Sequence, residues 1–413
     1  MEKIETKYKM VDYLLISLVP LSLLVNVFGT IIRDVRIATV FTLVHIFITG
    51  ILVIINNTSI QKGLIKESKI MLLFLLFILY LLSLAIFSGH KEINAVVRLG
   101  TIFAYNFTYL IFVLRFRNEY EYIYLSYKMI LISIIAYLII SNIYYNDFQL
   151  HLNQIMGSRY QGILGTNAHG IVSAIGTMFS IVLLRLNHKK IFILSILYTM
   201  FNLYITGSRA SYLSLILFVL LFDYFLIEKS AIKRFIHIML AIIFISILVM
   251  YIPNLIKLIL KKDILQAFRI NEFSISGRIL PLIFGVETIL YNNGLPIGIG
   301  KANIDAVLLG RPLDNIYIII AFEVGIIGLI VFLSFILSVL LKSIKNLRKV
   351  AFSDSFTKNE KVIYKFSTII IIIILFHSIF EAMLFSGFKI NTFLLLLLMT
   401  LLSKYNYKLK LLK

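Results

Sequence analysis

Arginines and an aspartate at the edges of long apolar runs are where this chain could do chemistry. Four polar segments carry them: SRYQGILGTNAHG (Ser158–Gly170), TGSRAS (Thr206–Ser211), SGRILP with the later PIGIGKANI, and LDNIYIIIAFEVGIIGLI (Leu313–Ile330). Arg159, Arg209 and Arg278 each bring a planar guanidinium fork, which suits bidentate binding of phosphate. The plainer use of such arginines is snorkelling to lipid headgroups. Ser276 reads as a helix N-cap, which puts Arg278 in a first helical turn. A cation there opposes the helix dipole unless an anion binds the same end. Asp314 is placed to orient or deprotonate a hydroxyl, and it reads equally as a helix N-cap. Glu323 follows nine residues later, about 13.5 Å along a helix and on its opposite face. It is therefore expected in a buried structural ion pair and not in one small site with Asp314. Gly298 and Gly300 lack the strand–turn–helix context of a nucleotide fingerprint, so they are read as sharp backbone turns. His169 could carry a proton or bind a ligand, or simply be satisfied by a neighbour. The seven histidines are scattered, and no acidic pair has metal-ligand spacing, so a reaction without metal or cofactor is expected.

The elements that must hold these residues are membrane helices. Of 413 residues, 60% are hydrophobic and 15% charged, with a mean hydropathy of +0.96. Soluble domains carry about 25% charged residues. A spanning helix needs about 20 mostly apolar residues, and roughly twelve such stretches can be read. They lie near Val11–Ile32, Ile37–Ile55, Ile70–Ser88, Ala95–Leu114, Met129–Tyr145, Ala168–Leu186, Ile191–Thr206, Ala210–Ile227, Phe235–Pro253, Asn315–Leu341, Phe366–Phe385 and Ile390–Ser403. The first run is too long for the apolar core of a signal peptide and is expected to stay as an anchor. Arg98, inside the fourth stretch, is read as snorkelling. The expected fold is thus an all-α polytopic membrane protein, one membrane domain over residues 1–413. The stretch 254–314 forms a single large outer loop. That loop should hold a basic amphipathic helix after Asn254 and a second helix through Ile279, Leu282, Val286 and Leu290.

Charge sets the orientation. With the N-terminus inside, the inside segments hold 26 Lys and Arg and the short outside segments hold 6. The positive-inside rule then puts both termini in the cytoplasm and the long loop outside. It also accounts for a net charge of +20 without any nucleic-acid partner. The basic run Lys342–Lys365 is expected to be a solvated cytoplasmic loop near anionic lipid. The chain has no cysteine, which excludes disulfides and thiolate chemistry.

Arg159 with Gly162, Gly165 and Asn167; Thr206, Ser208 and Arg209; Arg278; Gly298 and Gly300; and Asn315, Tyr317, Glu323 and Gly325 occur in an order that resembles the bacterial O-antigen polymerase and O-antigen ligase superfamily. The resemblance covers about residues 158 to 330. It implies a multispanning glycosyltransferase of the cytoplasmic membrane with a large outer loop late in the chain. The implied donor is a glycan on polyprenyl pyrophosphate, so the arginines would bind a diphosphate leaving group, with Asn315 and Tyr317 also on substrate. Ligases of the family typically have His before the Asn-x-Tyr, and here Asp314 stands there, which leans towards a polymerase. The resemblance implies as partners the polyprenyl-pyrophosphate-linked oligosaccharide, membrane lipid, a chain-length regulator and a flippase. A ligase of the same family, or a transporter, are the other readings.

Overall fold

The computed structural model describes residues 10–31, 35–56, 80, 93–117, 119–144, 160, 162–226, 276–298, 313, 315–381 and 390–411. Among these the protein is all-helical, with no strand. The helices are α1 (Met10–Ile31), α2 (Val35–Asn56), α3 (Ile93–Arg115), α4 (Tyr120–Tyr144), α5 (Thr166–Asn187), α6 (Ile191–Thr206), α7 (Arg209–Leu226), α8 (Ser276–Tyr291), α9 (Ile316–Phe352), α10 (Lys358–His377) and α11 (Ile390–Leu411). Among the described residues four stretches are long and apolar enough to cross a membrane: Met10–Phe28, Tyr120–Tyr144, Thr166–Asn187 and Ile316–Phe352. Large apolar side chains on the outer faces of α2 and α6 are exposed, among them Phe41, Phe47, Ile51, Leu194 and Leu197. Such stripes are tolerable on a membrane protein, where lipid covers them.

Several helices run past the apolar stretch that announces them. α4 starts nine residues before Met129 because Tyr122 and Tyr127 are core side chains. α9 continues to Phe352, and α10 begins at Lys358 behind a capping box in which Thr357 and Glu360 bond each other's backbone. The segment Lys342–Lys365 is therefore mostly helix and not a loop, a correction to the composition-based reading. Hydropathy misses it because charged side chains on an exposed helix face keep the backbone bonded while lowering the apolar score.

The chain forms two compact units. The first is built from residues 1–26, 35–126 and 275–413, the second from 27–34 and 127–274. In the first, α10 and α11 are antiparallel, tied by Glu360 Oε1–Lys408 Nζ at 3.0 Å and Tyr364 Oη–Asn406 Oδ1 at 2.8 Å. α3 runs parallel to α11, since Tyr105 meets Phe393 and, near the other end, the Phe116 carbonyl accepts from Lys404 Nζ. Near that end the fully buried carboxylate of Asp12 pairs with Arg115 at 2.8 Å and Arg117 at 3.3 Å. In the second unit α5 and α6 form a hairpin whose turn is the left-handed His188. A Cβ on Gly176 would lie 2.8 Å from Ile134 and 2.9 Å from Thr199, so α4, α5 and α6 approach closely.

Candidate functional site

In the second unit the first two polar segments come together around a buried polar network. Gly162 has a φ of +58°, and a Cβ there would sit 2.3 Å from His169 Nδ1. Glycine is required on both counts. The freed space lets the loop wrap His169, which is fully buried one turn into α5. Tyr137 Oη lies 2.8 Å from His169 Nδ1, and His169 Nε2 is 3.4 Å from Asn202 Oδ1. Because Asn202 Oδ1 accepts, the network assigns the ring proton to Nε2 and leaves Nδ1 to accept from the tyrosine. Asn142 Nδ2 donates to Asn202 Oδ1 at 3.1 Å, and Tyr160 Oη donates to Asn142 Oδ1 at 2.9 Å. His169 is thus satisfied by its neighbours, the plainest of its three sequence readings.

The same loop is pinned to the α6–α7 turn, where Tyr160 N–H donates to the Ile205 carbonyl at 3.3 Å. That turn is built for tightness. Gly207 closes α6 in the left-handed conformation, and Ser208 N–H donates to Thr206 Oγ1 at 3.2 Å. Gly170 completes it, since a Cβ there would lie 2.6 Å from Ser208 Cβ. Arg209 follows as the first residue of α7 and is exposed. Arg159, the chain neighbour of Tyr160, lies outside the described residues.

The other two segments meet in the first unit. Arg278 is in the first turn of α8, which begins at Ser276 itself, so Ser276 is the first helical residue and not the cap before it. The helix ends in a turn through Asn293 and Gly294, both at positive φ, and the chain then passes α9. α9 is two helices. Gly325, at φ +76° and ψ 172°, breaks it. In an unbroken helix Ile326 N–H would donate to the Phe322 carbonyl. Here Ile326 N–H donates to Gly294 O at 3.0 Å, and Ile297 N–H donates to Phe322 O at 3.0 Å. Both groups freed by the break are satisfied by the segment between them, as a low-dielectric setting demands. Gly298 follows at φ +135°, in the region that favours glycine. Glu323 is buried in the turn before the break, and Tyr80 Oη donates to the Val324 carbonyl at 2.9 Å.

At the start of α9 the N-cap is Asn315 and not Asp314. Asn315 Oδ1 accepts from Tyr317 N–H at 2.9 Å and Ile318 N–H at 3.2 Å. Its amide Nδ2 donates to the Ile379 carbonyl at 2.9 Å, and Tyr317 Oη donates to the Leu375 carbonyl at 2.8 Å. Asn315 and Tyr317, expected on substrate, therefore clasp the beginning of α9 to the end of α10. The cap role considered for Asp314 goes one residue on. Asp314, Gly300 and the helix expected after Asn254 lie outside the described residues.

The chain matches no protein-family model and no curated protein. The assignment of roles therefore rests on the residues themselves.

The clasp also exposes what the sequence reading passed over. Ile379 sits between His377 and Glu381, both buried, and these two ionisable residues fall in what reads as a purely apolar run. A charge-capable residue inside such a run was the available signal. Among the described residues no group of three or more His, Asp and Glu is arranged to hold a metal.

Proposed function

We propose that this chain is a membrane glycosyltransferase that polymerises polyprenyl-pyrophosphate-linked oligosaccharide units into a surface polysaccharide. The observation that carries the reading is Arg209. An exposed guanidinium opens an apolar helix, on a turn held by a glycine cap and anchored by a buried network. A cation at that end is unfavourable for the helix alone and favourable when an anion joins it. Arg278, in the first turn of α8, has the same placement on its helix. In the proposed reaction Arg159, Arg209 and Arg278 hold the donor diphosphate and neutralise it as it leaves. Asp314 orients the acceptor sugar, whose hydroxyl attacks the donor's anomeric carbon. The architecture is about twelve spans with both termini cytoplasmic and the Asn254–Asn315 stretch on the outer face, near the lipid-linked substrates. The reaction takes no metal or cofactor. A chain-length regulator and a flippase are the natural partners.

One observation favours a second reading. A broken α9 with a buried Glu323 beside the break is a feature of transporters, so flipping of a lipid-linked oligosaccharide is the rival. A ligase, passing finished glycan to lipid or protein, is the rival within the same chemistry. The test is Arg209→Lys and Arg278→Lys in cells that depend on the chain for polysaccharide. Both variants keep charge and lose the planar fork. Polymer should shorten sharply at unchanged membrane level, while single repeat units still reach the cell surface. Full-length polymer from both variants removes the diphosphate role. Repeat units trapped on the cytoplasmic side favour the flippase.

A further inference from the structure

We infer that the end of α10, with α3 and the start of α11, forms a hydroxyl-binding subsite in which Glu381 takes the proton of the acceptor sugar. The inference rests on the polymerase reading and assigns its base.

Three ties put the residues in one layer of the first unit. The antiparallel register fixed by Glu360–Lys408 and Tyr364–Asn406 brings His377 to the level of Phe393. Phe393 packs tilted against Tyr105 of α3, with ring centroids 5.0 Å apart. Asn315 and Tyr317 bond the carbonyls of Ile379 and Leu375, on either side of the same level. Asn106 therefore follows Tyr105 into this layer, and Asn391 enters it just before Phe393. Glu381 lies one turn beyond His377, its N–H donating to the His377 carbonyl at 3.2 Å.

Two asparagines here hold unsatisfied side-chain atoms. Asn106 is 6% exposed and Asn391 3%, yet Asn106 Nδ2 and Asn391 Oδ1 are buried with no hydrogen-bond partner among the described residues. Burying one such group without a partner costs about 1–3 kcal/mol, and native proteins rarely tolerate it without a use. One atom is a donor and the other an acceptor. A hydroxyl group satisfies both kinds at once, accepting from one amide and donating to the other, and a sugar offers several. A phosphate could serve only the donor.

The chemistry also needs a proton acceptor, and the buried carboxylates sort by position. Asp12, paired with Arg115 and Arg117, and Glu360, paired with Lys408, lie at the opposite end of these helices. Glu323 lies two turns into α9, beside the break. Glu381 is 5% exposed and lies one turn beyond the level of the two unsatisfied amides. In the step, the acceptor oxygen bonds to the anomeric carbon while the bond from that carbon to the diphosphate oxygen breaks. The bonding pair leaves with the diphosphate, and the hydroxyl proton passes to the Glu381 carboxylate and then to water. Asp314 is left to orient the acceptor.

The test uses full-length protein in liposomes with the polyprenyl-pyrophosphate-linked oligosaccharide that accumulates in cells lacking the chain. Glu381→Gln should lower turnover about 10²–10⁴-fold with KM little changed, and Glu381→Asp should restore part of it. Asn391→Leu removes an unsatisfied amide, so it should unfold no more easily than wild type and yet raise KM for the acceptor about tenfold. A stable, fully active Asn391→Leu overturns the subsite. Glu381→Gln at wild-type turnover overturns the base. If Glu381→Gln fails to reach the membrane, Glu381→Asp and Asn391→Leu decide alone. Wild type that does not lengthen the probe at all defeats the polymerase reading instead, so the two failures are distinct.

Discussion

Replacing Gly325 by alanine tests the break in α9 directly. Two penalties add. The backbone, at φ +76° and ψ 172°, is in a region open almost only to glycine, which costs an alanine about 1–3 kcal/mol. The new Cβ would also meet Gly294 O at 2.9 Å and Pro296 N and Cδ at 3.0 Å. Those are backbone and ring atoms with little freedom to yield, so the Gly294–Ile297 segment must withdraw. Its two hydrogen bonds to α9 go with it, each contributing about 0.5–1.5 kcal/mol. The total is about 2–6 kcal/mol, towards the lower end if α9 closes and Ile326 bonds Phe322 again. The assay is thermal unfolding in detergent, with limited proteolysis after Tyr291 as a local probe. Gly100→Ala is the control, because its Cβ meets nothing within 4 Å on α3, and there alanine should stabilise by up to about 1 kcal/mol. A Gly325→Ala protein that melts and resists protease like wild type refutes the account of the break.

Three further outcomes follow from the same structure. Glu272→Cys should react with a membrane-impermeant thiol reagent on intact cells and Lys358→Cys only after permeabilisation; the reverse pattern overturns the orientation. Asn315→Ala should destabilise by about 0.5–2 kcal/mol through the lost cap and more through the lost Ile379 bond, whereas Asn315→Asp keeps a capping oxygen and loses only the Ile379 donor, so equal melting of the two would remove the clasp. Lys404 lies beyond the apolar part of α11, and burial of its amine, then the nearby charge of Arg115, push its pKa down to about 7. Between that value and the ordinary lysine pKa the unfolded chain binds the extra proton, so stability rises with pH there. From pH 7 to 8.5 wild type should gain about 2 kcal/mol relative to Lys404→Met, and a pH-independent difference would sink this assignment.

What the sequence determined by itself was the all-helical membrane class, because long apolar runs leave the backbone no other way to satisfy its hydrogen bonds in lipid. It also placed local features whose cause is local: α6 over Ile191–Thr206, the tight turn at Gly207, and Arg278 in the first turn of α8. Helix ends set by charged faces and caps were less legible, as at α4 and α10, since hydropathy does not see a capping box or a core tyrosine. Only the tertiary structure decided the rest. That Asn315, and not Asp314, caps α9 depends on which side chain reaches back to the first free amides while its other end finds Ile379, 64 residues away. The break at Gly325 is no propensity signal, because it holds only with Gly294 and Ile297 there to take over the two freed groups. His169 and Glu381 carry little meaning as letters. Folding surrounds the first with bonded neighbours, and it buries the second one turn beyond His377.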